Sequence, residues 1–255
     1  MWHQGQIPQD FKDATIVDLQ KKKGNRQLCD NHRVISLLSI AGKIFDRILL
    51  NRLNAHLEQG LLPESQCGFR RQRGTIDMIF AARQLQEKCQ EMRTHFYTTF
   101  VDLTKAFDTV NCDGLWKIMQ KFGCCFTHIV RQLHDGMMAR VADNGTVSEA
   151  FTVTNGVKQG CVLALTLFSL MFSAMLMDAY RDERPGILIA YRMDGRLLNQ
   201  RRMHFRSRVS TATIHEILFA DDCALNTTTE EEMQRSMDLF AWTTSNFAST
   251  LRKRL

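Results

Sequence analysis

The apolar run Ile217-Leu218-Phe219-Ala220 is broken by two adjacent carboxylates, Asp221 and Asp222, and resumes at Cys223-Ala224-Leu225. Runs of this kind read as buried strands, so the acids between them are expected at a tight turn joining two paired strands. Burial would make such a pair costly. Two unit charges about 4 Å apart repel by roughly 4 kcal/mol at an effective dielectric of about 20. A solvated hairpin turn relieves that repulsion with water; a buried one needs a cation, for which a divalent metal is the usual remedy.

A third carboxylate lies far upstream. Phe96 to Val101 is another run of aromatic and β-branched residues, and Asp102 falls at its C-terminal end. Hard oxygen ligands from two such strand ends could hold a pair of Mg²⁺ ions about 3.5–4 Å apart, the arrangement that clamps the attacking and leaving oxygens in phosphoryl transfer.

Residues 12–73 hold 12 Lys+Arg against 6 Asp+Glu, so this stretch supplies the whole net charge of +6. A local positive excess favours a polyanionic partner, although it also suits a plain solvated face. The 255 residues and 44% apolar content are enough for a substantial core in one large domain or two small lobes. The eight cysteines include no C-x-x-C pair, and Cys29 with His32 has no second ligand pair at zinc-finger distance. Reduced thiols and an intracellular protein are expected. The N-terminus Met1-Trp2-His3-Gln4-Gly5 lacks the basic and apolar segments of a secretory signal. Cys161 to Met177 carries no charge and reaches the lower limit for crossing a bilayer. Thr166, Ser169 and Ser173 within it, and Lys158 and Asp178 beside it, suit a buried core helix instead, and no membrane partner is expected.

Residues 12–20 and 33–38 read as strands flanking a cationic loop, Lys21-Lys22-Lys23-Gly24-Asn25-Arg26. Helices are expected at 40–58, 75–93, 112–122, 126–138 and 229–247. Asn144-Gly145 signals a hairpin between 139–142 and 147–153, and Asp194-Gly195 a further turn. Strands and helices mix without regular β-α alternation, which favours an α+β architecture.

In order, Asn31-His32-Arg33-Val34-Ile35-Ser36-Leu37-Leu38, Ser65-Gln66-Cys67-Gly68-Phe69-Arg70, Phe100-Val101-Asp102 through Phe107-Asp108, Gly156 to Gly160, and Phe219-Ala220-Asp221-Asp222 resemble the motifs of the reverse transcriptase domain of LINE-type (non-LTR) retrotransposons. The resemblance covers nearly the whole chain. It implies a right-hand polymerase with fingers over residues 1–95 and a palm over 96–255, the palm an antiparallel sheet backed by helices with a hairpin insertion near 139–154. The implied activity is RNA-directed DNA synthesis, with an RNA template, a DNA primer and dNTPs as partners and two Mg²⁺ (or Mn²⁺) ions as cofactors. Asp102, Asp221 and Asp222 would be the catalytic metal ligands. Phe107 would pack under the incoming sugar and reject a 2′-hydroxyl, with a core aromatic as the competing reading. Lys21 and Arg33 would contact the triphosphate, and Gln159 and Gly160 would border the nucleotide and template. Nuclear action is implied by the family alone.

The sequence departs from the family at Val34, where Pro or Gly is common, and at Leu165, where Pro is expected. The final helix is not followed by the family's primer-holding segment, so the thumb is expected to be absent or incomplete, as is an endonuclease domain. The resemblance therefore leaves open a catalytically inactive, truncated remnant that keeps the fold and RNA binding.

Overall fold

The computed structural model describes residues 6–254 other than 22–24, 26, 29–30, 104, 144, 184 and 192–209. In chain order the elements are α1 (Gln9–Lys12), β1 (Ala14–Gln20), β2 (His32–Leu38), α2 (Ile40–Leu57), α3 (Thr75–Met92), β3 (Tyr97–Val101), α4 (Cys112–Lys121) and α5 (Thr127–His134). They continue as β4 (Met138–Asp143), β5 (Thr146–Val147), β6 (Phe151–Thr152), α6 (Val162–Ala179), β7 (Ile187–Tyr191), β8 (Ser210–Ile214), β9 (Glu216–Phe219), β10 (Asp222–Thr227) and α7 (Glu230–Arg254). This is the expected α+β mixture. Two compact units interleave along the chain: Met1–Pro63, Thr104–Ala174 and Ala248–Leu255 form one, Glu64–Leu103 and Met175–Phe247 the other.

The first unit is built on a sheet of order β2-β1-β4-β5, with β6 also pairing β4. β1 and β2 are antiparallel, Ala14 opposite Leu38 and Gln20 opposite His32. The Ser39 hydroxyl caps α2 by accepting from Gly42 N–H at 3.1 Å, and Phe45, Leu49, Leu53 and Leu57 then bury one face at a spacing of four. Each such leucine contributes about 1.5–3 kcal/mol on burial. The hairpin expected near 139–154 is present as β4 and β5, with Ala142 opposite Val147, and β4 also runs parallel to β1 with Ala14 opposite Ala139. The helix expected over 126–138 stops at His134: Gly136 adopts φ 69°, and Met138 opens β4. Only glycine takes that conformation without strain. α6 is long and apolar enough to cross a membrane, but 67% of it is buried inside the protein, as a core helix would be.

The second unit carries the antiparallel sheet β3-β10-β9 and the pair β7-β8. The Asp77 carboxylate accepts from Gly74 N–H at 2.6 Å and opens α3. Leu85 and Cys89, one turn apart on α3, pack with Ile187 of β7 and with Phe96 and Ile217. Tyr180, just past α6, shares a 2.9 Å hydrogen bond with Ser236 of α7 and stacks on His215 with ring centroids 5.4 Å apart. The Asp194-Gly195 turn lies outside the described residues, as do Lys22, Lys23, Gly24 and Arg26 of the cationic loop.

Candidate active site

The acidic turn belongs to the second unit. β9 ends at Phe219, β10 begins at Asp222 opposite it, and Ala220 and Asp221 are the two loop residues between. Ala220 has φ 62° while Asp221 does not share a positive φ. A two-residue hairpin turn with its first residue there normally uses glycine; an alanine holds of order 1–3 kcal/mol of strain. The expected strand–turn–strand is therefore present, with a strained residue directly before the acids.

On its other edge β10 pairs β3, Cys223 opposite Val101 and Ala224 opposite Phe100. The ladder ends there, with Asp222 and Asp102 as the next residues of the two strands, near enough for the Asp102 charge to act on Asp222. The Asp222 carboxyl is held above the ordinary carboxylate range, first by partial burial and then by the negative charges of Asp221 and Asp102. Like charge is thus concentrated at one end of the sheet. The acids are less enclosed than the sequence suggests: Asp221 is half-buried, and Asp102 and Asp222 are exposed. Water reaches them although Ala220, directly before them, is buried.

Side chains alternate across a strand, so Cys223 faces away from Asp222. Its thiol is buried and burial pushes its pKa up, which leaves carboxylate oxygens as the donors at this end. That donor chemistry fits a hard divalent cation. Among the described residues, however, no three His, Cys, Asp or Glu side chains converge closely enough to hold an ion. The backbone brings the three aspartates to one place; their oxygens do not form a closed cage.

The expected nucleotide residues lie in the first unit, and three of them are in contact. Ser36 N–H donates to the Gln159 carbonyl at 2.7 Å. With its amide oxygen and nitrogen exchanged, the Gln159 carboxamide can donate to Val34 O at 2.9 Å and accept from Arg33 Nε at 3.3 Å. Gly160 has φ +107°, and a Cβ there would stand 2.8 Å from both Ile35 Cγ2 and Ser36 O. The same loop closes on the turn after β3: Gly156 N–H donates to Val110 O and Val157 N–H to Phe107 O, both at 2.9 Å. Phe107 itself is 7% exposed, with its ring 5.0 Å from that of Phe168. Its observed contact is the core packing of the competing reading. Lys21 is exposed, and its backbone N–H donates to Asn31 O at 2.7 Å beyond the last β1–β2 pair.

Sequence reasoning did not single out Gln66, which is 0% exposed with its carboxamide on Ala220. The two residues are 154 apart, and no local pattern signals a contact over that separation.

An α+β chain whose antiparallel sheet carries an Asp-Asp turn between β9 and β10 has the architecture of a fingers-and-palm polymerase fold. The family model "Reverse transcriptase (RNA-dependent DNA polymerase)" matches residues 20–252, and the chain belongs to that family, among the reverse transcriptases of LINE-type (non-LTR) retrotransposons. It is 29% identical over 198 residues to a probable RNA-directed DNA polymerase from transposon BS of Drosophila melanogaster, covering 75% of this chain and 22% of that protein. It is 31% identical over 173 residues to the RNA-directed DNA polymerase from mobile element jockey of the same organism, covering 67% and 19%. The chain thus spans about a fifth of the length of these relatives. A solved structure of telomerase from Candida albicans, in complex with a fragment of telomeric RNA, shares the fold at TM-score 0.63 and 11% identity, over 94% of this chain and 41% of that one.

Proposed function

We propose that this chain carries the catalytic acids of an RNA-directed DNA polymerase, which extends a DNA primer on an RNA template by transfer of deoxynucleotides to its 3′-hydroxyl. The observation that supports this most is the register of β3, β10 and β9, which gathers Asp102, Asp221 and Asp222 at one sheet end, where burial and then the charges of Asp221 and Asp102 raise the Asp222 pKa. In this reading those three side chains hold two Mg²⁺ or Mn²⁺ ions. Bound there, the ions would favour ionisation of the primer hydroxyl and neutralise charge developing on the triphosphate.

The remaining roles belong to the first unit. Arg33, oriented by the Gln159 carboxamide, presents a planar fork suited to phosphate oxygens, and Lys21 adds an exposed point charge. Gly160 keeps the loop backbone close to β2, while the packing of Phe107 on Phe168 supports the core role for that ring. We read the β2-β1-β4-β5 sheet as fingers-like and the β3-β10-β9 sheet as palm, and propose that the chain acts in the nucleus.

The unconverged carboxylates favour a second reading, a chain that keeps the fold and RNA binding without polymerising. Deoxynucleotide incorporation on a primed RNA template with Mg²⁺ or Mn²⁺ separates the two. The polymerase reading expects extension by this chain and a loss of about 100-fold or more in Asp222→Asn. Incorporation no greater than that of the variant would leave only the second reading.

A further inference from the structure

The acidic turn does not hold itself. Within the second unit, residues 65–68 lie along β9 from end to end. Ser65 Oγ donates to Glu216 Oε1 at 3.1 Å. Leu218 N–H donates to Ser65 O and Cys67 N–H donates to Leu218 O, both at 2.9 Å, so Gln66 forms a parallel bridge to Leu218. β9 is thereby braced on the edge that β10 does not occupy.

The brace ends on the turn. Gln66 Oε1 accepts from Ala220 N–H at 3.1 Å and from Gly68 N–H at 2.8 Å, while Gln66 Nε2 donates to Ala220 O at 3.4 Å. One buried carboxamide therefore engages both backbone groups of the residue that is forced to positive φ immediately before Asp221. Gly68 closes over the same point: a Cβ on it would fall 1.9 Å from Ala220 N and 2.6 Å from Ala220 Cα. These contacts are with backbone, which cannot swing aside, so only glycine permits this approach.

We propose that Gln66 and Gly68 are positioning residues, a latch that fixes the Ala220 backbone and so sets where the Asp221 and Asp222 carboxylates stand. The role of those carboxylates rests on the polymerase reading above; the grip on the turn does not. A carboxamide suits this work because it accepts and donates together and brings no charge to an end of the sheet already crowded with negative charge. Leucine or methionine would fill the volume but leave two buried amides without an acceptor.

The test uses the full 255-residue chain and three measurements: amide hydrogen exchange at Ala220, binding of Mn²⁺ alone, and steady-state incorporation on a primed RNA template. For a folded Gln66→Met we expect Ala220 exchange to accelerate by about 10-fold or more, Mn²⁺ affinity to fall by about 10-fold, and kcat to fall by about 10-fold or more with KM for dNTP within about twofold. Unchanged exchange in Gln66→Met overturns the latch, and so does faster exchange with Mn²⁺ affinity and kcat at wild-type levels, which would make Gln66 merely structural. If Gln66→Met does not fold, Gly68→Ala decides: a folded variant with lowered kcat and Mn²⁺ affinity supports the latch, and one with wild-type values overturns it. Failure of the underlying reading looks different. Wild-type Mn²⁺ binding and incorporation in Asp222→Asn would remove the polymerase assignment, while Ala220 exchange in Gln66→Met would still decide whether the turn is held.

Discussion

Cys161 Sγ donates to Asp46 Oδ2 at 2.8 Å in the interior of the first unit, joining the loop before α6 to the buried face of α2. Burial raises the Asp46 carboxyl, opposed by the Cys161 hydrogen bond and the charge of Lys158. Burial and the Asp46 charge push the Cys161 thiol up to about 12. Cys161→Val removes the donor and leaves a buried carboxylate short of a partner, which is expected to cost about 1–3 kcal/mol in urea unfolding. Cys161→Ser keeps a donor and should lose less. Neither ionised nor accessible, the Cys161 thiol should resist alkylation in the native chain while exposed Cys125 is modified first, as mass spectrometry would read.

Stability should fall in mild acid because of His134. Its ring lies 5.3 Å from that of Trp116, and Nδ1 bonds the Val130 carbonyl at 2.9 Å. Burial, then the Lys158 charge, lower its pKa from 6.5 to about 4, with the Val130 bond and Asp135 acting the other way. A base with a depressed folded pKa binds its proton more readily when unfolded. Its contribution is therefore complete above pH 6.5 and is lost as pH falls through the window down to about 4. Unfolding free energies from urea titrations at pH 7 and pH 4.5 should differ by up to about 3 kcal/mol from this group. His134→Leu should remove most of that difference, and an unchanged pH dependence would rule the assignment out.

Asp222 offers the opposite trade. Its carboxyl is raised by partial burial and by Asp221 and Asp102, so in the folded chain it resists ionisation. Above its folded pKa the charge works against folding, and as pH falls toward and below 3.8 that burden disappears because both states are protonated. Asp222→Asn should thus be more stable than wild type at pH 7. The residue is exposed and water screens the repulsion, so the gain should stay within about 1 kcal/mol. A gain in thermal stability paired with loss of incorporation would mark a carboxylate retained for chemistry. A loss of stability would contradict the crowding of charge at the sheet end.

What the sequence disclosed was whatever lies within a strand or helix or across one short turn. The β1–β2 and β9–β10 pairings follow from alternating or apolar runs on either side of turn-forming residues. α2 follows from its four-residue repeat of apolar side chains. The parallel pairing of β1 with β4, more than a hundred residues apart, has no local signature. Gln66 on Ala220 was hidden for the same reason. Phe107 was ambiguous because an aromatic five residues after Asp102 can line a sugar site or fill a core, and only packing on Phe168 separates them.

Gly160 joins the legible loop to the strand that bears Arg33. At φ +107° it occupies backbone space that side-chain-bearing residues rarely enter, and an added Cβ would meet Ser36 O and Ile35 Cγ2, each at 2.8 Å. Gly160→Ala therefore combines backbone strain with a contact against β2 backbone, a cost of about 1–3 kcal/mol. The side chain of Ile35 can turn away, but the Ser36 carbonyl can move only with the strand. The loop must then lift, stretching the 2.7 Å bond from Ser36 N–H to the Gln159 carbonyl and loosening the Gln159 carboxamide on Arg33. If Arg33 is oriented for a triphosphate by that carboxamide, Gly160→Ala should raise KM for dNTP by about 10-fold while kcat changes less. Steady-state incorporation at varied dNTP checks this. A fall in kcat at constant KM would remove the loop from nucleotide binding and leave it a structural clasp on β2.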